Sequence, residues 1–478
     1  MNKAIWINSL KVLGIASLAL LLGLIISQFE WAALSAIIGG IVGIFFLYFI
    51  FTFPKFGLYA VLILSFILPI LGRYVPSGIP FGLAVDILLV LSILVLFIKE
   101  YKSLDVSRLR HPVFLLMSVW MLYVVFQIFN PLAYSFEAWF YSMRGIGLYQ
   151  FLIFMILFLT FRDKKDLKTF MYIWIAFSIL GGLWAIKQSM FGVSAAEQRW
   201  LDEGGAVTHM LFGKLRIFSY YFDAGTFGAA MGQISLICGI LALSNYFSKS
   251  KRILLGVLAL FFFYGLLISG TRGAIAVPAV GGLVYLILTK NLRVLVPGLV
   301  VFALAFSFLK FTTIGQSNYE INRLRTALDP ENASLKTRTV NRERLTLYLQ
   351  DKPFGGGLGT TGSWGNRFSP GTWLADFEPD GLYTRVRAET GLIGRNLYVG
   401  IWLVILFLGG RLVLKAPPGK NKVYGMAFMA GYAGILMANY GNSVMSQFPI
   451  STTTFISLYF VFALLDPKVQ AVATEDLN

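Results

Sequence analysis

Apolar segments long enough to cross a membrane recur along almost the whole chain, and one long polar stretch, Phe311 to Asp380, interrupts them. An apolar helix needs about 20 residues to span the roughly 30 Å hydrocarbon core of a bilayer. Of the 478 residues, 57% are hydrophobic and 13% are charged, which is too little charge for a water-soluble surface. The sequence therefore predicts an all-α polytopic membrane protein and excludes a water-soluble globule.

Hydropathy windows predict fourteen membrane spans, and the range is about 12 to 14 because the first two spans and the 253–310 region allow other divisions. The spans lie near residues 8–27, 31–53, 56–72, 81–98, 113–129, 146–161, 168–186, 224–244, 253–268, 272–288, 292–310, 390–409, 422–440 and 450–465. A long extracytoplasmic loop is expected between the span that ends near 310 and the span that starts near 390. The chain accordingly divides into amino-terminal helices at 1–186, helices with two candidate arginines at 187–310, the loop at 311–389, and carboxy-terminal helices at 390–478.

The basic residues indicate the orientation of the chain. Lys and Arg cluster in five short connectors, at 99–110, 162–168, 249–252, 290–293 and 411–422. The positive-inside rule places these connectors in the cytoplasm, and an even number of spans then leaves both termini there. The formal net charge of +17 is thereby assigned to a membrane surface and not to nucleic acid.

Two features of the chain have simple structural interpretations. Met1 to Ser27 has the apolar stretch of a signal peptide but no small-residue cleavage site after it, so we interpret it as the first retained span. The single cysteine, Cys238, lies inside an apolar run and is expected to be buried, and no intramolecular disulfide is possible.

The polar stretch carries two local signals. Leu335 to Gln350 contains no Gly or Pro and has apolar residues at Leu345 and Leu349, which predicts a short helix at the membrane interface. The glycine run at 355–359 follows and predicts a flexible backbone with exposed amides that approach a phosphate or a sugar. A plain turn is the alternative for this run.

Two arginines at the outer ends of predicted spans are candidate anion-binding residues. Arg272, in Ser-Gly-Thr-Arg-Gly-Ala, opens a span, and Arg216 precedes an aromatic segment that leads to Asp223. A guanidinium beside the positive end of a helix suits a phosphate or an oxyanion, and the alternative is an arginine that extends to the lipid headgroups. Tyr220 and Tyr221 suit either sugar stacking, with Asp223 binding hydroxyls, or an interfacial aromatic belt.

The carboxylates near the end of the polar stretch are the second group of candidates. Asp380 leads directly into the next span and is expected near the arginines, where it would act as a general base on an acceptor hydroxyl. Asp376, Glu378 and Asp380 also allow a divalent cation site, although their spacing matches no recognisable metal loop. Glu389 is either a supporting residue of the site or a structural partner of a nearby arginine.

Other ionisable residues inside or beside the spans give weaker signals. Asp86 lies a short way inside the fourth span, where a charge is costly and needs a partner, for which Arg73 and Arg144 are the candidates. His111 and His209 are isolated from each other and do not make a metal site.

The order of these features resembles the O-antigen ligase and polymerase superfamily of bacterial membrane glycosyltransferases. The resemblance covers about residues 216–394 and the multi-span layout. It rests on Arg216 before a glycine-containing span, on Thr271-Arg272-Gly273, on Arg338 upstream of the glycine run, and on the order Asp380, Tyr383, Glu389, Gly391, Gly394. Many ligases carry His-Asn where this chain has Asp380-Gly381, and the family's usual Pro-Asn is replaced by Asp223-Ala224.

The resemblance implies a helical fold in the bacterial inner membrane with its active face in the periplasm. It implies transfer of a glycan from undecaprenyl pyrophosphate to a glycan or lipid A core acceptor, without a cofactor or a metal ion. Attack opposite to the leaving pyrophosphate would invert the anomeric carbon. The expected site residues are Asp380, Arg272 and Arg216 as catalytic groups, and Arg338, Tyr383, Glu389 and Asp223 as substrate-binding groups.

Two other functions are compatible with part of the pattern. A flippase of polyprenyl-linked oligosaccharides would also need many spans and cationic residues, but it predicts ionisable groups in the middle of several spans. A metal-dependent glycosyltransferase would use the acids at 376–380 and would lose activity with a chelator. Polymerase and ligase share a donor and differ in their acceptor, so the sequence leaves both open.

Overall fold

The computed structural model describes residues 43–75, 81–100, 104–161, 164–211, 213–316, 319–326 and 333–469, together with Gly40 and Lys102. Within these ranges the protein is almost entirely helical, and its one ladder pairs Met210–Leu211 (β1) antiparallel to Lys214–Leu215 (β2). The predicted all-α polytopic class is confirmed. The predicted span at 8–27, which includes the proposed retained segment, lies outside the described residues.

The helices follow one another along the chain with short connectors. In the described ranges they are α1 Gly43–Thr52, α2 Lys55–Tyr74, α3 Gly82–Lys99, α4 Pro112–Phe126, α5 Phe136–Met143, α6 Tyr149–Thr160, α7 Lys164–Phe191, α8 Ala195–Trp200, α9 Ala206–His209, α10 Ala224–Leu243, α11 Lys249–Ile268, α12 Arg272–Thr289, α13 Leu292–Phe311, α14 Tyr319–Thr326, α15 Ala333–Tyr348, α16 Gly362–Phe368, α17 Leu382–Lys415, α18 Lys420–Ala438 and α19 Ile450–Leu465. Helices α5 and α6 are joined by a π-helical turn, Arg144–Leu148, into one segment.

Ten segments in the described part of the chain are long and apolar enough to cross a membrane. They are α2, α3, α4 with its 3₁₀ extension, the α5–α6 segment, α7, α10, α11, α12, α13 and α17. Each corresponds to one of the predicted spans. Helices α1 and α19 are shorter apolar helices at the predicted spans 31–53 and 450–465, and α18 lies at the predicted span 422–440.

The span predicted at 146–161 begins earlier in the structure, and its early part contains a charged residue that forms an ion pair. The hydropathy window gave 146–161, whereas the continuous helix runs from Phe136 to Thr160 and contains Arg144. The Nε of Arg144 lies 2.8 Å from a carboxylate oxygen of Asp86, on α3. Arg144 is thus the partner of Asp86, and the pairing lowers the cost of placing either charge inside a span.

Helix α17 also begins earlier than predicted, at Leu382 instead of near 390. A kink at Gly391, with φ 70° and ψ −169°, divides it into a short outer segment and a long apolar segment. Tyr383 and Glu389 therefore lie on a helix and not in the loop. Charged residues in the outer segment lower its hydropathy, which is why the windows missed it.

Helix α10 lies at the centre of the bundle, where almost all of its side chains are buried. It packs against α12 and α18, and α18 and α19 are buried along most of their length. Few side chains of α11 and none of those described in the α13 window are buried, so these two helices lie at the periphery. Because α10 and α12 begin at the end of the bundle where α18 finishes, their first turns meet the segment after α18.

The connectors form two groups at opposite ends of the bundle, as the sequence predicted. At the basic end, Lys55 Nζ lies 2.8 Å from Asp166 Oδ2, and His111 Nε2 lies 3.3 Å from Asp466 Oδ2. At the other end, which we call the outer end, the amide of Leu382 donates to the carbonyl of Asn439 at 3.0 Å. The beginning of α17 thus lies against the segment that follows α18.

Part of the polar stretch folds into a small unit at the outer end. Its core is a cluster of buried apolar side chains, Leu345, Leu349, Leu374, Phe377 and Ala388. The helix predicted at 335–350 is present as α15, and its apolar residues pack against the protein. This packing fixes α15 over the beginning of α17.

The prediction of a flexible glycine run with exposed amides is wrong. Residues 355–359 are buried, and the amides of Gly356 and Gly357 donate to the carbonyls of Ala388 and Glu389 at 2.9 Å each. A methyl group added at Gly355 would lie 2.3 Å from the amide nitrogen of Gly391. The glycine run therefore packs directly against the backbone at the kink of α17, because side chains would keep the two backbone segments apart. We call this contact between backbones the seam.

We expect Gly391→Ala to lower the free energy of unfolding by about 2 kcal/mol or more. The new methyl group would lie 2.0 Å from the carbonyl oxygen of Pro353, and a φ of 70° is strained for alanine. Gly400→Ala is the matched control, since it lies on the same helix with no atom within 4 Å of the added carbon. Thermal unfolding in lipid nanodiscs measures both variants, and equal stability would contradict the role of the seam.

Candidate functional site

The first turns of α10 and α12 lie side by side at the outer end, and Arg216 joins them. The Nη2 of Arg216 donates to Thr271 Oγ1 at 2.8 Å, and Thr271 Oγ1 donates to the carbonyl of Ala224 at 2.9 Å. The Nη1 of Arg216 donates to the carbonyl of Thr208 at 2.9 Å. Ala224 is the first residue of α10, and Thr271 is the residue before α12. The guanidinium of Arg216 therefore lies beside the amino-terminal ends of α10 and α12, where each helix dipole has its positive end.

Asp223 and His209 cap the beginning of α10. Oδ1 of Asp223 accepts from the amide of Thr226 at 2.8 Å, and Nε2 of His209 accepts from the amide of Ala224 at 3.1 Å. Nδ1 of His209 lies 3.1 Å from the carbonyl of Gly205, which fixes a neutral ring with the proton on Nδ1. Burial lowers the pKa of His209 to about 4, so the neutral form persists at physiological pH. The carboxylate of Asp223, which was predicted to bind sugar hydroxyls, serves here as a helix cap.

Arg73, at the end of α2, fixes the segment between Arg216 and α10. Its guanidinium donates to the carbonyls of Ser219 and Phe222, at 3.3 and 2.8 Å, and also to the carbonyl of Tyr221. It lies 4.6 Å from the ring centre of Trp200. The sequence offered Arg73 only as a partner for Asp86, and an arginine at the outer end of an apolar run was the available signal for a role at the site.

Arg272 opens α12, and Asn442 lies beside it. A methyl group added at Gly273 would lie 2.4 Å from Nδ2 of Asn442, and one added at Gly225 would lie 3.0 Å from its Oδ1. The side chain of Asn442 therefore sits between the first turns of α10 and α12. Sequence reasoning did not select Asn442, because a lone asparagine in a short connector carries no signal.

Arg338 connects this group to Asp380. Its Nη2 donates to the carbonyl of Gly441 at 3.5 Å, and its Nε lies 3.8 Å from Oδ1 of Asp380. Arg342, one turn later on α15, lies 4.0 Å from the ring centre of Tyr440. The predicted residues Arg216, Arg272, Arg338 and Asp380 are thus brought together around the segment that follows α18.

Asp380 has the properties of a base that is partly shielded from water. Its Oδ2 is buried and makes no hydrogen bond of normal geometry with the described residues. Burial raises the pKa of Asp380, and the positive charges of Arg338 and Arg342 oppose that rise. A carboxylate with a raised pKa is a stronger base than a solvated one.

The residues after Asp380 fix its position. A methyl group added at Gly381 would lie 2.7 Å from the carbonyl oxygens of Asn439 and Tyr440, so only glycine permits this approach of the two backbones. In the first turn of α17, the hydroxyl of Tyr383 donates to the carbonyl of Leu436 at 2.6 Å. The hydroxyl of Tyr383, which was predicted to bind substrate, therefore already has a hydrogen-bond partner on α18.

Glu389 lies in an internal network on the other side of the outer segment of α17. It is fully buried and accepts hydrogen bonds from Ser142 Oγ at 3.0 Å, Thr361 Oγ1 at 2.6 Å and Arg385 Nε at 3.0 Å. This arrangement fits the structural alternative for Glu389. It ties α17 to α5 and to Thr361, which follows the glycine run.

The acids considered for a cation do not converge. Asp376 and Glu378 are exposed, whereas Asp380 is half-buried beside two arginines. Among the residues that the structure describes, no group of three or more His, Cys, Asp and Glu side chains has the geometry to hold a metal ion. The fold and the site together define a polytopic membrane protein with several arginines and the half-buried carboxylate of Asp380 at its outer end.

Comparison with known proteins gives one curated relative. The chain is similar to an O-antigen polymerase of Salmonella muenchen, with 28% identity over 261 residues. The match covers 53% of this chain and 61% of that protein, which is less than two thirds of the relative's length. No family model matches the chain. The similarity supports an O-antigen polymerase or ligase type of family and confirms the resemblance that the sequence indicated.

Proposed function

We propose that the protein is a glycosyltransferase of surface polysaccharide biosynthesis, of the O-antigen polymerase or ligase type. It transfers a glycan from undecaprenyl pyrophosphate to a glycan or lipid A core acceptor at the periplasmic face of the inner membrane, with both termini in the cytoplasm. The observation that carries this proposal is that Arg216, Arg272 and the half-buried carboxylate of Asp380 lie at the same end of the bundle, connected through Arg338 and the segment that follows α18. The similarity to an O-antigen polymerase supports it independently.

Arg216 and Arg272 bind the pyrophosphate of the donor in this proposal. Negative charge grows on the pyrophosphate as its bond to the anomeric carbon breaks, and fixed cations stabilise that charge without reorganisation. Arg216 is held at its site by Thr208 and Thr271, so its guanidinium is already in place when the donor arrives. Preorganisation of this kind lowers the barrier for departure of the lipid pyrophosphate.

Asp380 accepts the proton of the acceptor hydroxyl. The acceptor oxygen forms the new bond to the anomeric carbon while the bond from that carbon to the pyrophosphate oxygen breaks. The proton goes to the carboxylate, and the electron pair leaves with the lipid pyrophosphate. Attack from the side opposite to the leaving group inverts the anomeric centre. Arg338 keeps the carboxylate oriented through its 3.8 Å contact.

The proposal is tested in cells that lack this protein. Their surface glycans are compared with those of the same cells after a wild-type copy has been introduced. Loss of long glycans with single repeat units still attached to their acceptor would identify a polymerase. Loss of all attachment, with lipid-linked glycan accumulating, would identify a ligase. An unchanged pattern of glycan length and attachment on gels would contradict both.

The alternative to an enzyme is a transporter of polyprenyl-linked oligosaccharide. It predicts ionisable groups near the middle of several spans. The ion pair of Asp86 and Arg144 lies instead close to the outer end, because Asp86 is only about one turn from the start of α3. This position favours an enzyme that acts at the outer face.

We expect Arg338→Gln to move the acidic limb of the pH–kcat profile to higher pH by roughly one unit. The positive charge of Arg338 stabilises the ionised form of Asp380, so its removal raises the pKa of Asp380 further. The base is then protonated over a wider range of acidic pH. Arg338→Lys keeps the charge and is the control, and acidic limbs that coincide in the two variants would contradict the assignment of Asp380 as the base.

A further inference from the structure

A cavity with a volume of about 310 Å³ lies at the basic end of the bundle, opposite the proposed reaction site. Small-molecule pockets have volumes of about 300–1,000 Å³, so this cavity has room for a small ligand or a headgroup. Three parts of the chain form its wall: the connector before α4, the end of α6 and the segment after α19. The wall includes Arg108, Arg110, His111, Pro112, Phe158 and Lys468.

The wall carries three cationic side chains, and no acidic residue of the described ranges lines it. Two acids beside the cavity already have partners in the protein. Asp105 lies 3.3 Å from the Nε of the buried Arg108. Asp466 accepts from the amide of Lys468 at 2.9 Å and lies 3.3 Å from Nε2 of His111. Both carboxylates are therefore held beside the cavity and not inside it.

Arg110 and Lys468 differ from Arg108. Both are exposed, and neither forms an ion pair or a side-chain hydrogen bond with a residue that the structure describes. One precedes α4 and the other follows α19, so the fold alone brings their charges to the same cavity. Like charges at one place repel each other, and an anion between them removes that cost. The charge of the wall therefore suits a negatively charged ligand.

The surface next to the cavity indicates that this ligand is a lipid. Leu115, Val119 and Leu122 are exposed on α4, and their spacing puts them on the same face of the helix as Pro112 in the cavity wall. Exposed apolar side chains on a membrane span face the acyl chains. The wall of the cavity thus continues into a lipid-facing stripe, which a soluble anion would not use.

We propose that this cavity binds the phosphate of an anionic phospholipid, such as phosphatidylglycerol, from the bilayer leaflet at the basic end. Arg110 and Lys468 contact the phosphate oxygens, and an acyl chain lies along the apolar stripe of α4. A zwitterionic headgroup carries an ammonium group that the three cations of the wall repel, so a lipid with net negative charge is selected. This inference goes beyond the proposed transfer reaction and does not depend on it, because the two sites lie at opposite ends of the bundle.

The bound phosphate has a structural consequence for the protein. It connects the segment before α4 to the segment after α19, which belong to the two halves of the chain. A ligand that binds the folded state and not the unfolded state stabilises the fold. Phosphatidylglycerol is therefore expected to raise the temperature at which the protein unfolds.

Native mass spectrometry of the full chain, titrated with phosphatidylglycerol, measures the affinity for the first bound lipid. The Arg110→Gln/Lys468→Gln variant should bind it at least about tenfold more weakly than the wild type, because two charge-assisted contacts are lost. Lys249→Gln/Lys251→Gln is the matched control, since it removes two exposed charges at the start of α11, also at the basic end. It should bind like the wild type. Equal affinity of all three proteins would overturn the inference, and so would equal losses in both variants.

The same titration separates the sources of the phosphate. Phosphatidylethanolamine should bind the wild type no more tightly than it binds the Arg110→Gln/Lys468→Gln variant. A preference of the wild type for this zwitterionic lipid as large as its preference for phosphatidylglycerol would overturn the selection by charge. Displacement of phosphatidylglycerol by inorganic phosphate would show a site for a soluble anion and would overturn the assignment to a lipid.

Thermal unfolding checks that the substitutions act on binding and not on folding. Without added lipid, both double variants should unfold at the temperature of the wild type, because the replaced side chains are exposed. Phosphatidylglycerol should raise the unfolding temperature of the wild type and of Lys249→Gln/Lys251→Gln, but not that of Arg110→Gln/Lys468→Gln. An equal rise in all three proteins would contradict a lipid site in this cavity.

Discussion

Transfer by the Arg272→Ala variant is expected to fall by about 100- to 1,000-fold, with membrane insertion and abundance unchanged. Arg272 opens α12 at the outer end of the bundle, where the first turn of α10 and Asn442 adjoin it. Removing one fixed donor from a site where charge develops typically has an effect of this size on kcat. The measurement is the transfer rate of purified protein with a lipid-linked donor.

Lysine should restore little of this loss. Arg272→Lys keeps the charge but replaces a planar fork of five donors by a single ammonium, which cannot engage two phosphate oxygens in the same way. Arg367→Ala is the control at the same end of the protein, because Arg367 is exposed and contacts the rings of Tyr141 and Phe368. A rate for Arg272→Ala equal to that of Arg367→Ala would remove Arg272 from the mechanism.

Asp380→Asn should slow transfer by about 100- to 10,000-fold while leaving donor binding intact, as expected for loss of a general base. Asparagine keeps the shape of the side chain but has no site for the proton of the acceptor hydroxyl. The fixed backbone at Gly381 should keep the variant folded, because that contact does not involve the carboxylate. Single-turnover kinetics and a donor-binding measurement separate the chemical step from binding.

Asp376→Asn is the matched control for Asp380→Asn, since Asp376 is an exposed acid a few residues upstream. It should transfer at the rate of the wild type. Comparable losses in both variants, together with inhibition by a chelator, would favour the metal-dependent transferase over the proposed one. Normal turnover of Asp380→Asn would make Asp380 a structural residue.

The convergence of Arg216, Arg272 and Asp380 was predictable because topology alone determines it. Hydropathy predicted the spans, and the basic connectors predicted which end of each span faces the cytoplasm. These two predictions together put all three residues at the same end of the bundle. The capping geometry was not predictable. His209 reaches the amide of Ala224 across fifteen positions of irregular chain, and no periodic pattern connects them.

The glycine run shows why a local pattern can be misleading. Four glycines between 355 and 359 indicate a flexible loop when they are considered alone, but the structure uses them for close contact with the kink at Gly391. The partner of such a seam lies more than thirty positions away, beyond the range of any local signal. The hydropathy window missed the beginning of the α5–α6 segment for a similar reason. Arg144 lowers the local hydropathy, and its partner Asp86 lies on another span.

Labelling of an introduced cysteine tests the central claim, that the site lies at the outer face and binds a polyprenyl pyrophosphate. The native Cys238 is buried, so the labelling of Asn442→Cys has a low background. Ser248→Cys, exposed before α11 in the basic group of connectors, is the control. In intact spheroplasts a membrane-impermeant maleimide should label Asn442→Cys but not Ser248→Cys, and the lipid-linked donor should protect Asn442→Cys. Labelling of Asn442→Cys only after permeabilisation, or labelling that the donor does not slow, would contradict the account.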